Sequence, residues 1–479
     1  MKLFNSQTGK KEEFKPIEPQ KVRLYACGPT VYDYIHVGNA RPVITFDALR
    51  RYLEWRGYEV TFVQNFTDVD DKIIDRANRE GITCDELTER FIEEYFTDAR
   101  GLGVEEATVH PKATENIEGI IEAVQSLIDK GFAYQTGNDV YFRIEKFPSY
   151  GALSGQDIED IPIPMEPVIV GDRVRLGLGA EKENPRDFAL WKGAKPGEVS
   201  WNSPWGEGRP GWHIECSVMA NRYLGQTVDI HAGGQDLTFP HHENEVAQSE
   251  ALNGCKFVNY WLHNGFLSID SKKMSKSLGN FFTVRDAAEA YGYDTIRMFM
   301  LMSHYRSPLN YSGEILVQAK AGLERLYNAV DNLEFLIKNA EMADLSAEEA
   351  GFLETLPSYK TRFIEAMDDD FNTADGIAVI FELVREVNGA CAADKSPSKP
   401  FAEACLNAVC ELADVLGLLY ARDTKSTDDL DVQVEALIAA RTQARADKNW
   451  AEADRIRDEL KDMGIVLEDT PQGIKWKKA

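Results

Sequence analysis

Residues 22–66 read VRLYACGPTVYDYIHVGNARPVITFDALRRYLEWRGYEVTFVQNF. VRLYAC is an apolar run of the length of a buried strand, and Gly28-Pro29-Thr30 breaks it. From about His36 the stretch through ARPVITFDALRRYLEWRG carries apolar residues at helical spacing. EVTFVQNF is strand-like again, and the polar TDVDD after it is a turn. Strand, loop, helix, strand is a βαβ unit, which predicts a parallel sheet with a crossover helix.

Outward from this unit, the pattern is helical around 112–135. From about 135 to 210 it changes to short strands and turns rich in Gly, Pro and Trp, which reads as an insertion. Strand pattern resumes at VDIHAGG (228–234), a helix starts at 240, and FVNYWLHNGFL (257–267) is a further strand. From about 314 long amphipathic helices follow, with LVQAKAGLERLYNAVDNLEFLIK the clearest, and imply a helix bundle. RDTKSTDDLD (422–431) reads as a linker. Two short helices, VEALIAARTQARADK and WAEADRIRDELKDMG, precede a hairpin, IVLEDTPQGIKWKK, turned at Gln472-Gly473. The expected fold is α/β: a Rossmann-like parallel-sheet domain with an insertion, then an α-helical bundle and a small C-terminal α+β module. The expected divisions are 1–134 and 211–270 for the two halves of the sheet domain, with 135–210 inserted between them. Then come 271–313 as a loop and stem region, 314–421 as the bundle, 422–435 as linker and 436–479 as the terminal module.

Bulk properties narrow the function. The chain has 479 residues and 43% hydrophobic residues, ordinary for a globular protein. It shows no apolar run of about 18 residues and no signal-peptide pattern, so a cytoplasmic protein without a membrane span is expected. Seven cysteines, odd in number and scattered, argue for free thiols or metal ligands rather than a disulfide framework. A net charge of −26 argues against uniform coating by nucleic acid. The acid is unevenly spread: from residue 436 onward nine Lys/Arg face eight Asp/Glu, a balance of +1.

Three stretches carry chemistry. Residues 239–250, FPHHENEVAQSE, crowd two histidines and two glutamates at a helix start. Pro240 suits the first helical position, and acidic residues suit the positive end of the dipole, so a polar first turn explains much of it. His241 and Glu245 are four apart and share a face, as a metal-binding pair would. Four beyond His242 stands Val246, which excludes an HExxH metalloprotease frame. The second stretch, His36-Val-Gly-Asn39, places a histidine, a glycine open to close approach and an asparagine at a helix N-terminus, where phosphate binds readily. The third, KKMSKSLGN (272–280), sets mobile lysine charges after a strand.

Together these resemble a class I aminoacyl-tRNA synthetase: a histidine–glycine element after the first strand and a KMSKS string after a later one. YACGPTVYDYIHVGNAR, QNFTDVDDKI, SPWGEGRPGWHIECS and HAGGQDLTFPHHENE narrow the resemblance to the cysteinyl-tRNA synthetases. MDDDFNTADGIAV (367–379) and the terminal segment extend it over nearly the whole chain. The resemblance implies zinc beside the amino-acid pocket, with ligands falling on Cys27, Cys216, His241 and Glu245; thiolate, imidazole and carboxylate all suit zinc. The other five cysteines read as small apolar residues.

Further roles implied by the resemblance are ATP phosphate contacts at His36, Gly38, Asn39, Lys273 and Lys276, with Mg²⁺ accompanying the ATP. Thr67, Trp212 and His231 are expected at the amino-acid pocket, and Gly233, Gln235 and Asp236 near adenosine. The wider class ends its histidine element in a second histidine, whereas this chain has Asn39, an amide donor that never carries charge. Arg441, Arg445, Trp450 and Trp476 offer stacking and edge contacts for an anticodon, while Arg455 and Arg457 are placed to pair along their own helix. The expected partners are tRNA(Cys), ATP and L-cysteine, with no obligate protein partner and a monomeric state. Two rival readings are a tRNA-independent cysteine ligase of the mycothiol-pathway type and a non-catalytic paralogue. The first has no need of the near-neutral terminal module, and the second would have lost the KMSKS string or a zinc ligand.

Overall fold

The structure is a computed structural model and describes residues 1–160, 168–170, 173–175, 182–269, 272–273, 282–340, 342–392, 395–423, 429–470 and 473–478. It divides into two compact units, Met1–Leu316 with Asp368–Asn372, and Val317–Met367 with Thr373–Ala479.

The first unit is built on strands β1 (Lys21–Ala26) and β2 (Glu59–Gln64), joined by helix α1 (Val37–Trp55). Helix α2 (Trp212–Leu224), strand β3 (Val228–Gly234), helix α3 (Glu243–Asn253) and strand β4 (Val258–Asn264) complete it. The sheet order is β4-β3-β1-β2, and every pair is parallel. Residues 109–112 extend it beyond β2 through the parallel bridges Val63↔Val109 and Phe66↔Lys112. Leu24, Tyr25, Ala26, Ile230, Ala232, Trp261 and Leu262 are all buried. Strands with such continuous apolar runs need cover on both faces, which is why the sheet is parallel and flanked by helices.

Between β2 and that edge run two helices, Asp71–Glu80 and Cys84–Gly101, which the sequence pattern did not single out. The insertion forms a four-stranded antiparallel sheet in the order Gly208–Pro210, Phe188–Gly193, Asp139–Phe142, Ala133–Thr136. Its Val140, Phe142 and Trp191 share one hydrophobic core with Tyr25, Val63 and Trp261 of the parallel sheet. The insertion is therefore packed onto the sheet domain and does not stand apart.

The run 257–267 was expected as one strand. It is two, β4 and Leu267–Ile269, interrupted at Gly265. A side chain at Gly265 would meet the carbonyl oxygens of Arg306 and Ser307 at 2.6 and 2.7 Å. Only glycine permits that approach. Leu267–Ile269 pairs in parallel with Leu309–Tyr311 and antiparallel with Lys272–Lys273.

The second unit is mainly helical, with Thr373–Ala390 and Lys399–Val415 among its longer elements. Its last part is the helix pair Asp429–Ala446 and Trp450–Asp462 with the hairpin Ile465–Thr470 and Gly473–Lys478. Val434, Ile438, Ile456, Leu460 and Ile465 form its small core. The first helix of this pair already runs at Asp429, inside the span read as linker, and Gln472 of the expected turn lies outside the described residues. Among the described residues no helix is long and apolar enough to cross a membrane.

Candidate active site

The crossover α1 leads from β1 to β2, whereas β3 lies on the other side of β1. The carboxyl ends of β1 and β3 thus border a topological switch point, the place where open α/β sheets bind ligands. Cys27 follows β1, His231 lies in β3 and His263 in β4. Helix α2 brings Cys216, and α3 with the helical turn Thr238–His242 before it brings His241 and Glu245. Pro240 stands in the middle of this turn after a cis Phe239–Pro240 peptide, not at the first helical position expected of it, and the regular helix starts three residues later at Glu243.

The structure brings Cys27, Cys216, His241 and Glu245 together, with one ligand atom of each within 4.8 Å of the others. Cys27 Sγ is 3.9 Å from Cys216 Sγ and 3.5 Å from Glu245 Oε1. His241 Nε2 is 3.1 Å from the same oxygen. Zinc bonds of about 2.0–2.3 Å in a tetrahedron put donor atoms about 3.3–3.8 Å apart. The observed edges lie close to this range, so the donor set fits zinc in kind and in spacing.

A second set, Cys27, His231, His242 and Glu245, overlaps the first. Its contacts are less convergent. His231 Nε2 faces the other carboxylate oxygen, Oε2, at 2.9 Å, and His242 Nε2 lies 3.3 Å from Cys27 Sγ. Contacts of this kind suit groups that orient ligands from outside.

The same neighbours set the charges. Contact with the Cys27 thiol, and with His241 beyond it, brings Cys216 down to about 6 against the effect of burial. Burial and the Cys216 contact push Cys27 well up. Burial opposes ionisation of Glu245, but His231 and His241 hold it at about 2. Burial likewise opposes the charge on His241, yet Cys216 and Glu245 raise it to about 10. The thiol and the carboxyl both lean toward their anionic forms, and the proton that they draw onto His241 is the one a metal would displace, since a histidine ligand must be neutral. Burial lowers His213 and His242, and brings His263 to about 3.

Around this core the polar groups are chained. His241 Nδ1 is 2.9 Å from His213 Nδ1, and His242 Nδ1 is 2.8 Å from His263 Nε2. The Trp212 ring lies on His241 with centroids 4.3 Å apart, and Trp212 is 38% exposed, at the mouth of the site. Thr67 is buried and donates to Glu215 at 3.1 Å, while Asn65 Oδ1 accepts from the Gly28 N–H at 3.0 Å. Burial first, then Cys216 and Asp68, raises Glu215 well above the usual carboxylate range. Gly233 is buried against His242, whose ring a side chain there would strike at 2.8 Å. Gln235 and Asp236 are exposed on the short turn after β3.

His36 caps α1. Its Nδ1 accepts from the Asn39 N–H at 3.2 Å, and Asn39 Oδ1 accepts from the His36 N–H at 3.2 Å. This reciprocal pair is a capping box. It leaves the ring proton of His36 on Nε2 and turns the Asn39 amide into a donor. Gly38 holds the second helical position, where an N–H has no intrahelical partner. The element is strapped to the chain that follows the lysine string: Val37 N–H donates to the Phe282 carbonyl at 3.2 Å, and Val284 N–H to that of Ile35 at 2.9 Å. The backbone of Lys273 pairs with Ser268, and Lys276 lies outside the described residues.

Asn65, His213, Glu215, His242 and His263 were not anticipated at the site. The available signal was the histidine count. Of eight in the chain, five (213, 231, 241, 242 and 263) gather here. In the terminal module Arg441 is buried, Arg445 and Trp450 are exposed, and Trp476 donates to Glu435 at 3.2 Å. Arg455 pairs with Glu452 and Glu459, and Arg457 with Asp454, along their own helix.

A family model described as the tRNA synthetases class I (C) catalytic domain matches residues 13–321. The chain is thus of the class I aminoacyl-tRNA synthetase type. A DALR domain model matches 362–420, and a model of the cysteinyl-tRNA ligase anticodon binding domain matches 427–476. Cysteine–tRNA ligases of Clostridioides difficile (strain 630) and Symbiobacterium thermophilum are each 55% identical to it, with 100% of both chains covered. The chain belongs to the cysteine–tRNA ligase family. Solved structures show the likeness of fold: Mycobacterium tuberculosis methionyl-tRNA synthetase with methionyl-adenylate has a TM-score of 0.60 at 17% identity, covering 83% of this chain and 90% of that one. A leucyl-tRNA synthetase of Agrobacterium radiobacter K84 in a ternary complex has a TM-score of 0.59 at 12% identity, covering 86% of each.

Proposed function

We propose that this chain activates L-cysteine with ATP and transfers the cysteinyl group to tRNA(Cys). The observation that carries the reading is the convergence of Cys27, Cys216, His241 and Glu245 at the switch point of the sheet. In the first step a carboxylate oxygen of cysteine attacks the α-phosphorus of ATP, and pyrophosphate leaves. In the second, the 2′- or 3′-hydroxyl of the terminal adenosine of tRNA attacks the carbonyl carbon, and AMP leaves.

His36 Nε2–H, the Gly38 N–H and the Asn39 amide donate to the phosphates from one side. Lys273 and Lys276 stabilise the charge that develops on them from the other, and Mg²⁺ accompanies the ATP. Thr67 and Trp212 line the amino-acid pocket. His231 orients Glu245 from outside, a role more specific than the pocket lining first expected of it. Gly233 and the exposed Gln235 and Asp236 serve adenosine.

Cys27, Cys216, His241 and Glu245 would hold zinc, which when bound supplies a soft acceptor that favours a thiolate over the hydroxyl of serine. A shape-fitted pocket alone separates such near-isosteres poorly. In the terminal module Arg445 and Trp450 are the exposed candidates for anticodon contact, and Arg441 and Trp476 act through packing. A module of this kind has no use in a tRNA-independent cysteine ligase. We place the protein in the cytoplasm, as a monomer.

The test is cysteine-dependent ATP–pyrophosphate exchange followed by charging of tRNA, with serine as control. Exchange and charging with cysteine and not serine support the reading. Exchange without charging turns it toward the sugar-ligase type, and a metal-loaded, folded protein inert in exchange refutes catalysis.

A further inference from the structure

Arg285 sits where three elements meet. It is the second residue of the helix Val284–Tyr291, which begins directly after the strap between 282–284 and 35–37. Thr283 and Asp286 fix that helix start by a capping box, with bonds of 2.9 and 3.1 Å. Arg285 Nε donates to Asp98 Oδ1 at 3.0 Å, and its terminal nitrogen pairs with the Glu94 carboxylate. Both acids belong to the helix Cys84–Gly101, and Asp98 is fully buried. Tyr293 adds a hydroxyl to the same Asp98 oxygen at 2.9 Å.

The third element is the loop that leads into His36. The Arg285 guanidinium lies 4.8 Å over the ring of Tyr34, two residues before His36. Tyr34 in turn meets Phe91 of the Cys84–Gly101 helix edge-on, with centroids 5.5 Å apart. One planar cation thus contacts the loop that leads into His36 and ties that loop, and its own helix just after the strap, to the Cys84–Gly101 helix.

We propose that Arg285 is a positioning residue for adenylate formation: it holds the histidine-bearing loop and the chain following the lysine string in register on the Cys84–Gly101 helix. This role rests on the reading of those two stretches as the ATP phosphate site. Arginine is required because one flat group must both bond to carboxylates in its plane and stack on an aromatic face; lysine, a point charge, cannot do both. Small errors in the placement of reacting groups are costly, with misplacement by about 1 Å worth up to about 100-fold in rate.

The experiment uses full-length, metal-loaded protein and the variants Arg285→Lys, Tyr34→Leu and the double variant. Tyr34 is 37% exposed, so its replacement tests the contact even where Arg285→Lys folds poorly. The expected result is a fall of about tenfold in kcat/KM for ATP in pyrophosphate exchange for each single variant. The KM for cysteine and the bound metal stay at wild-type values, and transfer from preformed cysteinyl-adenylate to tRNA stays within about twofold. The double variant should lose less than the product of the single losses, because both changes break the same Arg285–Tyr34 contact. Single variants with unchanged ATP kinetics, or equal losses in both half-reactions, or strictly additive losses, overturn the role. A wild-type protein inert in exchange removes the underlying phosphate reading, and this role with it.

Discussion

Two overlapping donor sets share Cys27 and Glu245, and they make opposite predictions for their remaining members. In the set proposed here, Cys216 and His241 would hold the metal, while His231 and His242, at 2.9 Å from Glu245 and 3.3 Å from Cys27, would only orient those two ligands. Removing an orienting group typically weakens metal binding about 10–100-fold. With free zinc at 100 times the wild-type dissociation constant, binding stabilises the fold by about 2.7 kcal/mol. The same linkage leaves about 1.4 kcal/mol after a tenfold loss of affinity and about 0.4 kcal/mol after a 100-fold loss. His231→Gln should fall within that window and still bind one zinc per chain. Cys216→Ser should lose the zinc-dependent stabilisation altogether and come off gel filtration without metal. Metal content, chelator competition and paired melts with and without zinc read out both variants. The reasoning fails if Cys216→Ser keeps wild-type metal content while His231→Gln or His242→Gln empties the site, for the second set would then be the ligand set.

Three further outcomes follow from the first unit. Asp370 is fully buried and accepts from Phe4 N–H at 2.7 Å, Tyr305 hydroxyl at 2.9 Å and Arg306 Nε at 2.7 Å. Asp370→Ala should destabilise the protein by about 3 kcal/mol in urea melts, the lower end of the buried-pair range because Arg306 is 33% exposed; a loss below about 1 kcal/mol refutes the anchoring role. Burial holds His110 neutral, with Nε2 accepting from the Ala107 N–H at 3.0 Å. Its folded pKa is lowered, so its contribution is fully present above the unfolded value of about 6.5 and lost as pH falls below that. Melts at pH 5.5 and 7.5 should differ less for His110→Gln than for wild type, and equal differences count against the assignment. Asn39→Ala should remove the side-chain half of the capping box, the bond from the His36 N–H to Oδ1, while the backbone N–H of position 39 stays on the His36 ring; it should cost up to about 1 kcal/mol and raise the KM for ATP, and an unchanged KM would confine Asn39 to a structural role.

How far the sequence carried differs by feature, and the reasons are physical. The βαβ unit was legible because each strand is an apolar run between turn residues, and buried parallel strands have that form. The helix Asp71–Glu80 escaped notice because it buries only Ile73, Ile74 and Ala77, too thin a stripe to stand out among its charges. His241 and Glu245 were legible as a pair because helix geometry joins residues four apart. Cys27 and Cys216, 189 residues apart, meet only through the order of the strands, and only the resemblance to a known family named them. Arg41 was read as part of a motif and is wholly buried, donating to the carbonyls of Gly265 at 2.7 Å and Phe266 at 2.9 Å. No local pattern announces an arginine turned inward, because its partners are backbone oxygens from the far end of β4 and its neighbours.

Asn39 shows how the two levels combine. By resemblance to the wider class it stood out as a missing histidine. By geometry it is a residue short enough to reach back to the His36 N–H while its own N–H meets the His36 ring. An imidazole in its place could keep that backbone bond only by presenting an unprotonated nitrogen as acceptor, and would then give up a fixed amide donor. The helix start therefore supplies a reason for asparagine here that is independent of phosphate, and the same bonds set which His36 nitrogen carries the proton. If this coupling holds, Asn39→His should change the pH dependence of ATP binding, because a titrating ring replaces a group that never ionises. A profile from pH 6 to 8 that superimposes on wild type would show that position 39 acts on helix geometry alone.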